Sequence, residues 1–232
     1  MGKIKNFQIL IFSCLIIFSA AAAVYSSGTI AALVFDGNYG YKPLFIFILS
    51  ILIFYIFTIA IFRAFLHLFP LKKGDIERDS KDETVYHVYI LFFIMCFYPL
   101  MRSGFLPFPL LKLLYLCLGA KMGDNSFTGG IIHDPIFVKI GSNCILGQGS
   151  LLVPHQIEGE KLSHQPIIIG DNCTIGALSI IFQDVKIGNN SIVAASAVVT
   201  KGTIIGDDEI WGGIPAKFIK KNLPTNHVNI SS

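Results

Sequence analysis

Charge is scarce in this chain: Asp, Glu, Lys and Arg make up 14% of its 232 residues, against 53% hydrophobic. The mean hydropathy of +0.65 excludes an ordinary soluble domain and points to a membrane protein with a modest globular part. A net charge of only +3, with no basic run, excludes a nucleic-acid-binding surface. Cysteine is sparse as well. Cys14, Cys96, Cys117, Cys144 and Cys173 form no CxxC and no metal-ligand spacing, so neither a disulfide scaffold nor a thiolate metal centre is expected. The serines are scattered and no G-x-S-x-G elbow occurs, which removes the usual signature of a serine nucleophile.

Long uncharged runs are what the chain has instead. Residues 7–35 and 43–62 carry no charge, and about 20 apolar helical residues cross a hydrocarbon core of about 30 Å. The expectation is a transmembrane hairpin with its turn at residues 36–40. A cleaved signal peptide is the alternative for the first run, because Lys3 and Lys5 precede it and four alanines lie at 20–23. Positive residues favour the cytoplasmic side. Lys3 and Lys5 before the hairpin, and Arg63, Lys72, Lys73, Arg78 and Lys81 after it, outnumber Lys42 in the turn. Both ends of the hairpin, and the globular part, are therefore expected in the cytoplasm, on a multi-pass protein of a bacterial inner membrane. Residues 72–83 alternate in sign and read as a solvated connector. A third uncharged run, 85–101, is interrupted by Pro99 and followed by Arg102, Pro107, Pro109 and a short apolar helix at 110–118. It reads as a broken, re-entrant or in-plane helical segment; the alternative is a full third span with the globular part on the other side.

From residue 169 onward an aliphatic residue recurs every sixth position: Ile169, Ile175, Ile181, Ile187, Val193, Val199 and Ile205, closing on Trp211. Neither a helix nor a single strand has this period. Short parallel strands, six residues to a side and three sides to a turn, do. Gly-Asp-Asn and Gly-Asn-Asn corners supply the turns. A weaker register, Met122, Thr128, Asp134, Ile140, Leu146, Leu152, extends the solenoid towards the N-terminus. It fails between Leu152 and Ile169, so an inserted loop is expected at 153–166. The domain boundaries expected are 1–83 for the hairpin and connector, 84–121 for the broken segment, 122–221 for the solenoid and 222–232 for a tail.

These repeats resemble the hexapeptide-repeat acyltransferases, in a membrane-attached bacterial branch. The resemblance runs from about residue 106 to 221. It implies a mainly β fold, a left-handed parallel β-helix, behind the α-helical membrane segments. It also implies acetyl transfer from acetyl-CoA, a homotrimer with active sites between neighbouring solenoids, and no metal. In that family the catalytic histidine opens a loop that interrupts the coils, and Val153-Pro154-His155, followed by Glu158 and Gly159, resembles that position, which groups Glu158 with His155 and Asp134 as catalytic candidates. Soluble sugar O-acetyltransferases carry Gly-His-Pro there and this chain does not, nor does it match their acceptor-binding asparagine. Neutral imidazole suits the base that such a transfer needs, and Asp134 is the candidate to orient it or position the acceptor, or else a corner turn. His164 reads as a surface loop histidine, and His67 and His87 as membrane-interface residues. By the same resemblance Ala177, Ala195 and Thr200 would receive the pantetheine arm, and Lys201, Lys217 and Lys220 the phosphates. The membrane segments point to a membrane-lipid, lipid-linked or surface-glycan acceptor. Two other classes compete: a non-catalytic trimeric membrane scaffold, and a γ-type carbonic anhydrase built on His133, His155 and His164, for which the H-x-x-x-x-H spacing is absent.

Overall fold

The structure is a computed structural model, and it describes residues 2–35, 37 and 39–222; residues 223–232 of the expected tail lie outside them. The chain forms two compact units. One comprises residues 1–72 and 77–99, the other 73–76 and 100–232.

The first unit is helical: α1 (Asn6–Val34), α2 (Lys42–Leu68) and α3 (Lys81–Phe92), the last prolonged through a π-type turn at Phe93–Phe97 into α4 (Tyr98–Arg102), whose residues from Leu100 on belong to the second unit. Three stretches, Asn6–Val34, Lys42–Leu68 and Lys81–Arg102, are long and apolar enough to cross a membrane. Beyond the buried Gln8 near its start, the buried side chains of α1 are small and four residues apart: Ser19, Ala23, Ser27 and Ala31. Small residues at that spacing let two helices approach closely, and Ser27 Oγ meets Ser50 Oγ of α2 at 2.6 Å. Ser80 caps α3 by accepting from the Glu83 N–H at 3.1 Å. Pro99 does not end the run. The helix widens to π geometry one turn earlier, which accommodates the N–H that proline lacks. The interruption falls instead at residues 103–107, before α5 (Phe108–Leu118). His87 is buried and not interfacial: its Nδ1 lies 3.1 Å from Gln8 Oε1.

The second unit is a three-faced solenoid of parallel strands. Its first face stacks Lys121–Met122, Val138–Ile140, Ile167–Ile169, Lys186–Ile187 and Ile204–Ile205. The second stacks Phe127–Thr128, Ile145–Leu146, Thr174–Ile175, Ile192–Val193 and Glu209–Gly212, and the third Ile131–Ile132, Leu151–Val153, Ile180–Phe182 and Val198–Val199. Successive coils are 18 residues apart, as in Ile169 on Ile187, Ile175 on Val193 and Ile181 on Val199. Each of these aliphatics is buried. The arrangement fits a left-handed parallel β-helix.

Two devices set the corners. Between the first and second faces, Asn125, Asn143, Asn172, Asn190 and Asp208 all adopt left-handed backbone conformations. Their side chains hydrogen-bond up the edge at 3.0–3.2 Å. The glycines after the aliphatics answer a different need, close approach of the next coil. A Cβ on Gly176 would stand 2.3 Å from Ala195 N, and one on Gly188 2.6 Å from Asp207 N. Inside the same edge runs a ladder of hydroxyls and thiols. Ser126, Cys144, Cys173 and Ser191 each donate to the carbonyl of a glycine one coil on, Gly141, Gly170, Gly188 and Gly206, at 2.7–3.0 Å.

The helix α5 closes the first coil. Tyr115 is fully buried; its hydroxyl donates to Gly130 O and accepts from Ile132 N, both at 3.1 Å. These are groups that a preceding coil would otherwise bond. Here the register differs from the sequence expectation: the inward position of the first coil's third face is Ile132, paired with Leu152, and not Asp134. Residues 133–137 form a bulge around the short 3₁₀ turn Pro135–Phe137.

Candidate active site

The coil that begins at Val138 takes 29 residues, not 18, to return to its face at Ile167. The extra length is not an open loop. It folds as an antiparallel hairpin, His155–Glu158 against Lys161–His164, which leaves the third face through Pro154. A third strand, Gly74–Ile76 from the connector between α2 and α3, pairs antiparallel with Lys161–His164. His155 thus opposes His164, which opposes Gly74.

The bulge at 133–137 brings Asp134 to His155. Asp134 is buried, in a left-handed conformation with φ 43° just before Pro135. His155 Nδ1 lies 2.5 Å from Asp134 Oδ2, and 20% of the imidazole side chain is exposed. An ionised carboxylate only accepts, so Nδ1 donates and Nε2 keeps its lone pair. Burial pulls the His155 pKa down, but the hydrogen bond and charge of Asp134 outweigh it and raise the value above the ordinary one. His133 and His164 go the other way: burial, reinforced by His155, outweighs the attraction of Asp134 and lowers both. Their rings stand edge-on to His155 at 5.8 and 6.3 Å. His164 is no surface residue; it is buried and stacked on Phe137 at 5.2 Å. Among the described residues no three His, Cys, Asp or Glu side chains are grouped to hold a metal ion.

The hairpin then follows the edge between the third and first faces. Gln183, wholly buried one coil on, donates from Nε2 to Ser163 Oγ at 2.9 Å and Gln156 Oε1 at 3.1 Å. A further coil on, Lys201 Nζ stands 3.8 Å from Glu158 Oε2. Glu158 is therefore not at the imidazole. It lies near the hairpin tip, exposed, with Gln156 and Lys201 as partners, which corrects its grouping with His155 and Asp134. Thr200 sits at this edge with its hydroxyl on Thr203. Ala177 and Ala195 stack at the opposite edge of the third face, where Ser196 N donates to Ala177 O at 2.8 Å. Lys217 and Lys220 lie on Lys217–Lys221, an antiparallel strand added to the second face. Within one chain, then, the coenzyme candidates flank the third face, and only Thr200 and Lys201 share the edge with His155. The hexad marks inward positions alone, so it carried no signal for Gln183, Ser163 or the connector strand.

Residues 166–201 match the family model described as bacterial transferase hexapeptide (six repeats); the chain carries that repeat. No curated protein matches it. Among solved structures it is similar to a hexapeptide-repeat acetyltransferase of Vibrio cholerae O1 biovar eltor complexed with acetyl coenzyme A, at 25% identity and TM-score 0.43 over 46% of this chain and 62% of that one. It is also similar to a galactoside acetyltransferase in complex with coenzyme A, at 28% identity and TM-score 0.39 over 44% of this chain and 55% of the other. A polysialic-acid-specific acetyltransferase aligns at 22% identity and TM-score 0.36 over 47% and 53% of the two chains. The chain thus spans between half and two thirds of the length of each of these proteins.

Proposed function

We propose that this protein is a membrane-attached acyltransferase that moves an acetyl group from acetyl-CoA to a hydroxyl, or an amine, of a lipid-linked or surface-glycan acceptor. The observation that carries the reading is the His155–Asp134 pair, set at the first residue of a hairpin inserted into a hexapeptide solenoid. His155 Nε2 takes the acceptor proton as the acceptor oxygen (or nitrogen) attacks the thioester carbonyl. The tetrahedral oxyanion is met by backbone N–H groups. The C–S bond then breaks and the imidazolium returns its proton to the CoA sulfur, so no covalent enzyme intermediate is needed. Asp134 holds the reactive tautomer and favours the imidazolium that forms.

Coenzyme A runs along the third face of a neighbouring copy in a homotrimer. Ala177, Ala195 and Thr200 line the pantetheine arm, and Lys201, Lys217 and Lys220 meet the phosphates. The placement of Ala177, Ala195, Lys217 and Lys220 away from the His155 edge within one chain supports an active site between subunits. Exposed apolar side chains on the solenoid, among them Ile145 and Leu178, support a partner copy. The three apolar helical stretches support a bacterial inner-membrane, multi-pass location, and the lysine and arginine bias a cytoplasmic solenoid.

The test is His155→Ala in the full-length protein, assayed by CoA release from acetyl-CoA with a polyprenyl-linked glycan as acceptor. The expected loss in kcat is roughly 10²–10⁴-fold, with the melting temperature nearly unchanged. Turnover within about tenfold of wild type rejects His155 as the base. A lack of acetyl-CoA binding in the wild type favours the scaffold instead.

A further inference from the structure

The solenoid unit is discontinuous in the chain. It takes in residues 73–76, which lie between two helical stretches long enough to cross a membrane. We infer that this connector strand, Gly74–Ile76, is a positioning element of the active site, and that Ile76 is its positioning residue. The inference rests on the reading of His155 as the base.

Three observations carry it. The strand pairs with the His155 hairpin and with no coil: its partners are His164, Ser163 and Leu162, opposite Gly74, Asp75 and Ile76. A two-stranded hairpin is marginal alone, and a third strand is what gives such a sheet independent stability. Further, Ile76 and its directly opposed partner Leu162 are 5% and 1% exposed, so the strand brings a buried apolar side chain to the hairpin's own. Finally, the strand bonds next to the chemistry. Gly74 opposes His164, and His164 opposes His155. Release of the strand frees the Lys161–His164 edge, with which His155 pairs while its imidazole meets Asp134.

The remaining hairpin contacts do not replace it. Gln183 grips Gln156 and Ser163 from the coil side, and Lys201 meets Glu158 through a largely exposed ion pair, a class of contact that contributes little. Reactive geometry tolerates little slack, since misplacement by about 1 Å costs about a hundredfold in rate. The consequence is that transfer depends on a segment that lies, in the chain, between α2 and α3.

The experiment uses the full chain in detergent, as wild type, Ile76→Gly, Ile76→Ala and Ile76→Val. The alanine variant is the milder truncation, kept in case the glycine variant fails to fold. Amide exchange is followed in residues 155–164 and in the coil strands. In parallel, kcat and KM for acetyl-CoA are measured, and the His155 titration midpoint is followed by imidazole NMR signals. Expected for Ile76→Gly or Ile76→Ala is faster exchange confined to the hairpin and a fall in kcat of roughly tenfold or more. KM for acetyl-CoA should stay within about twofold, because the coenzyme residues lie off the hairpin. The His155 midpoint should drop as Asp134 loosens, and Ile76→Val should restore all three. Unchanged hairpin exchange overturns the inference. So does faster exchange with an unaltered kcat and midpoint, which makes the strand a structural trimming only. Exchange and titration need no acceptor, so a wild type inactive on the chosen glycan counts against the proposed reaction without deciding this one.

Discussion

The middle of α1 and the solenoid interior hide opposite kinds of side chain. Beyond Gln8, the buried residues of α1 are Ser19, Ala23, Ser27 and Ala31, while Leu10, Tyr25 and Leu33 stand exposed. In the solenoid the aliphatics are inside and the exposed edge is lined with asparagine, aspartate and glycine. A surface of leucine, tyrosine and phenylalanine is stable only in a medium as apolar as those side chains, in which packing of small residues takes over as the source of helix association. The solenoid follows the usual rule for water, where burial of each aliphatic is the driving term. The hexad and the small-residue stripe are thus two different ways of packing side chains.

That contrast can be broken at defined positions. The largest effect is expected for Ile181→Asp, which places a carboxylate at a fully buried inward position. An unpaired buried charge costs well over about 4 kcal/mol, so the solenoid should fail to fold, as read by loss of its circular-dichroism signal. The next effect falls on chemistry. Asp134→Asn should lower kcat roughly 10²-fold, because an amide no longer fixes the tautomer. It should also shift the pH–rate midpoint downward. In the wild type the folded His155 pKa is raised, so activity requires a higher pH. By the same sign, the stability that His155 contributes is full below its unfolded pKa of about 6.5 and is lost as pH rises through the folded value. The variant should lack that pH dependence in thermal melts. In the helical unit, Ser27→Leu adds volume to a seam already closed to a 2.6 Å hydroxyl contact. It should cost about 1–3 kcal/mol in detergent melts, whereas Leu33→Ala on the exposed face should change little. Smallest is Cys144→Ser. Serine already fills the same rung at Ser126 and Ser191, so the change should stay within about 1 kcal/mol, and a larger loss would show that the thiols pack in a way hydroxyls do not.

Much of this was legible in the residues. Seven sixth positions from Ile169 to Ile205 specified which side chains face inward, because an inward position there calls for an apolar residue. The break in that period after Leu152 located the insertion, whose hairpin begins at His155 directly after Val153-Pro154. The weaker early register misplaced Asp134 by two residues, since Ile132 and the bulge after it obey no hexad. Pro99 suggested a broken helix, and a π turn absorbed it. The stripe Ser19, Ala23, Ser27, Ala31 was readable at period four, but long apolar runs on every side masked it.

The sequence by itself determined the solenoid, its period and the three apolar helical stretches, because these rest on repeating local preferences that each residue states alone. Only the tertiary structure decided that Asp134 meets His155, that Glu158 turns to Lys201, that His164 is buried and that Gly74–Ile76 joins the hairpin. Those contacts join residues from 21 positions apart in the first case to nearly 90 in the last. They depend on where a bulge and a connector bring the chain, which no period records.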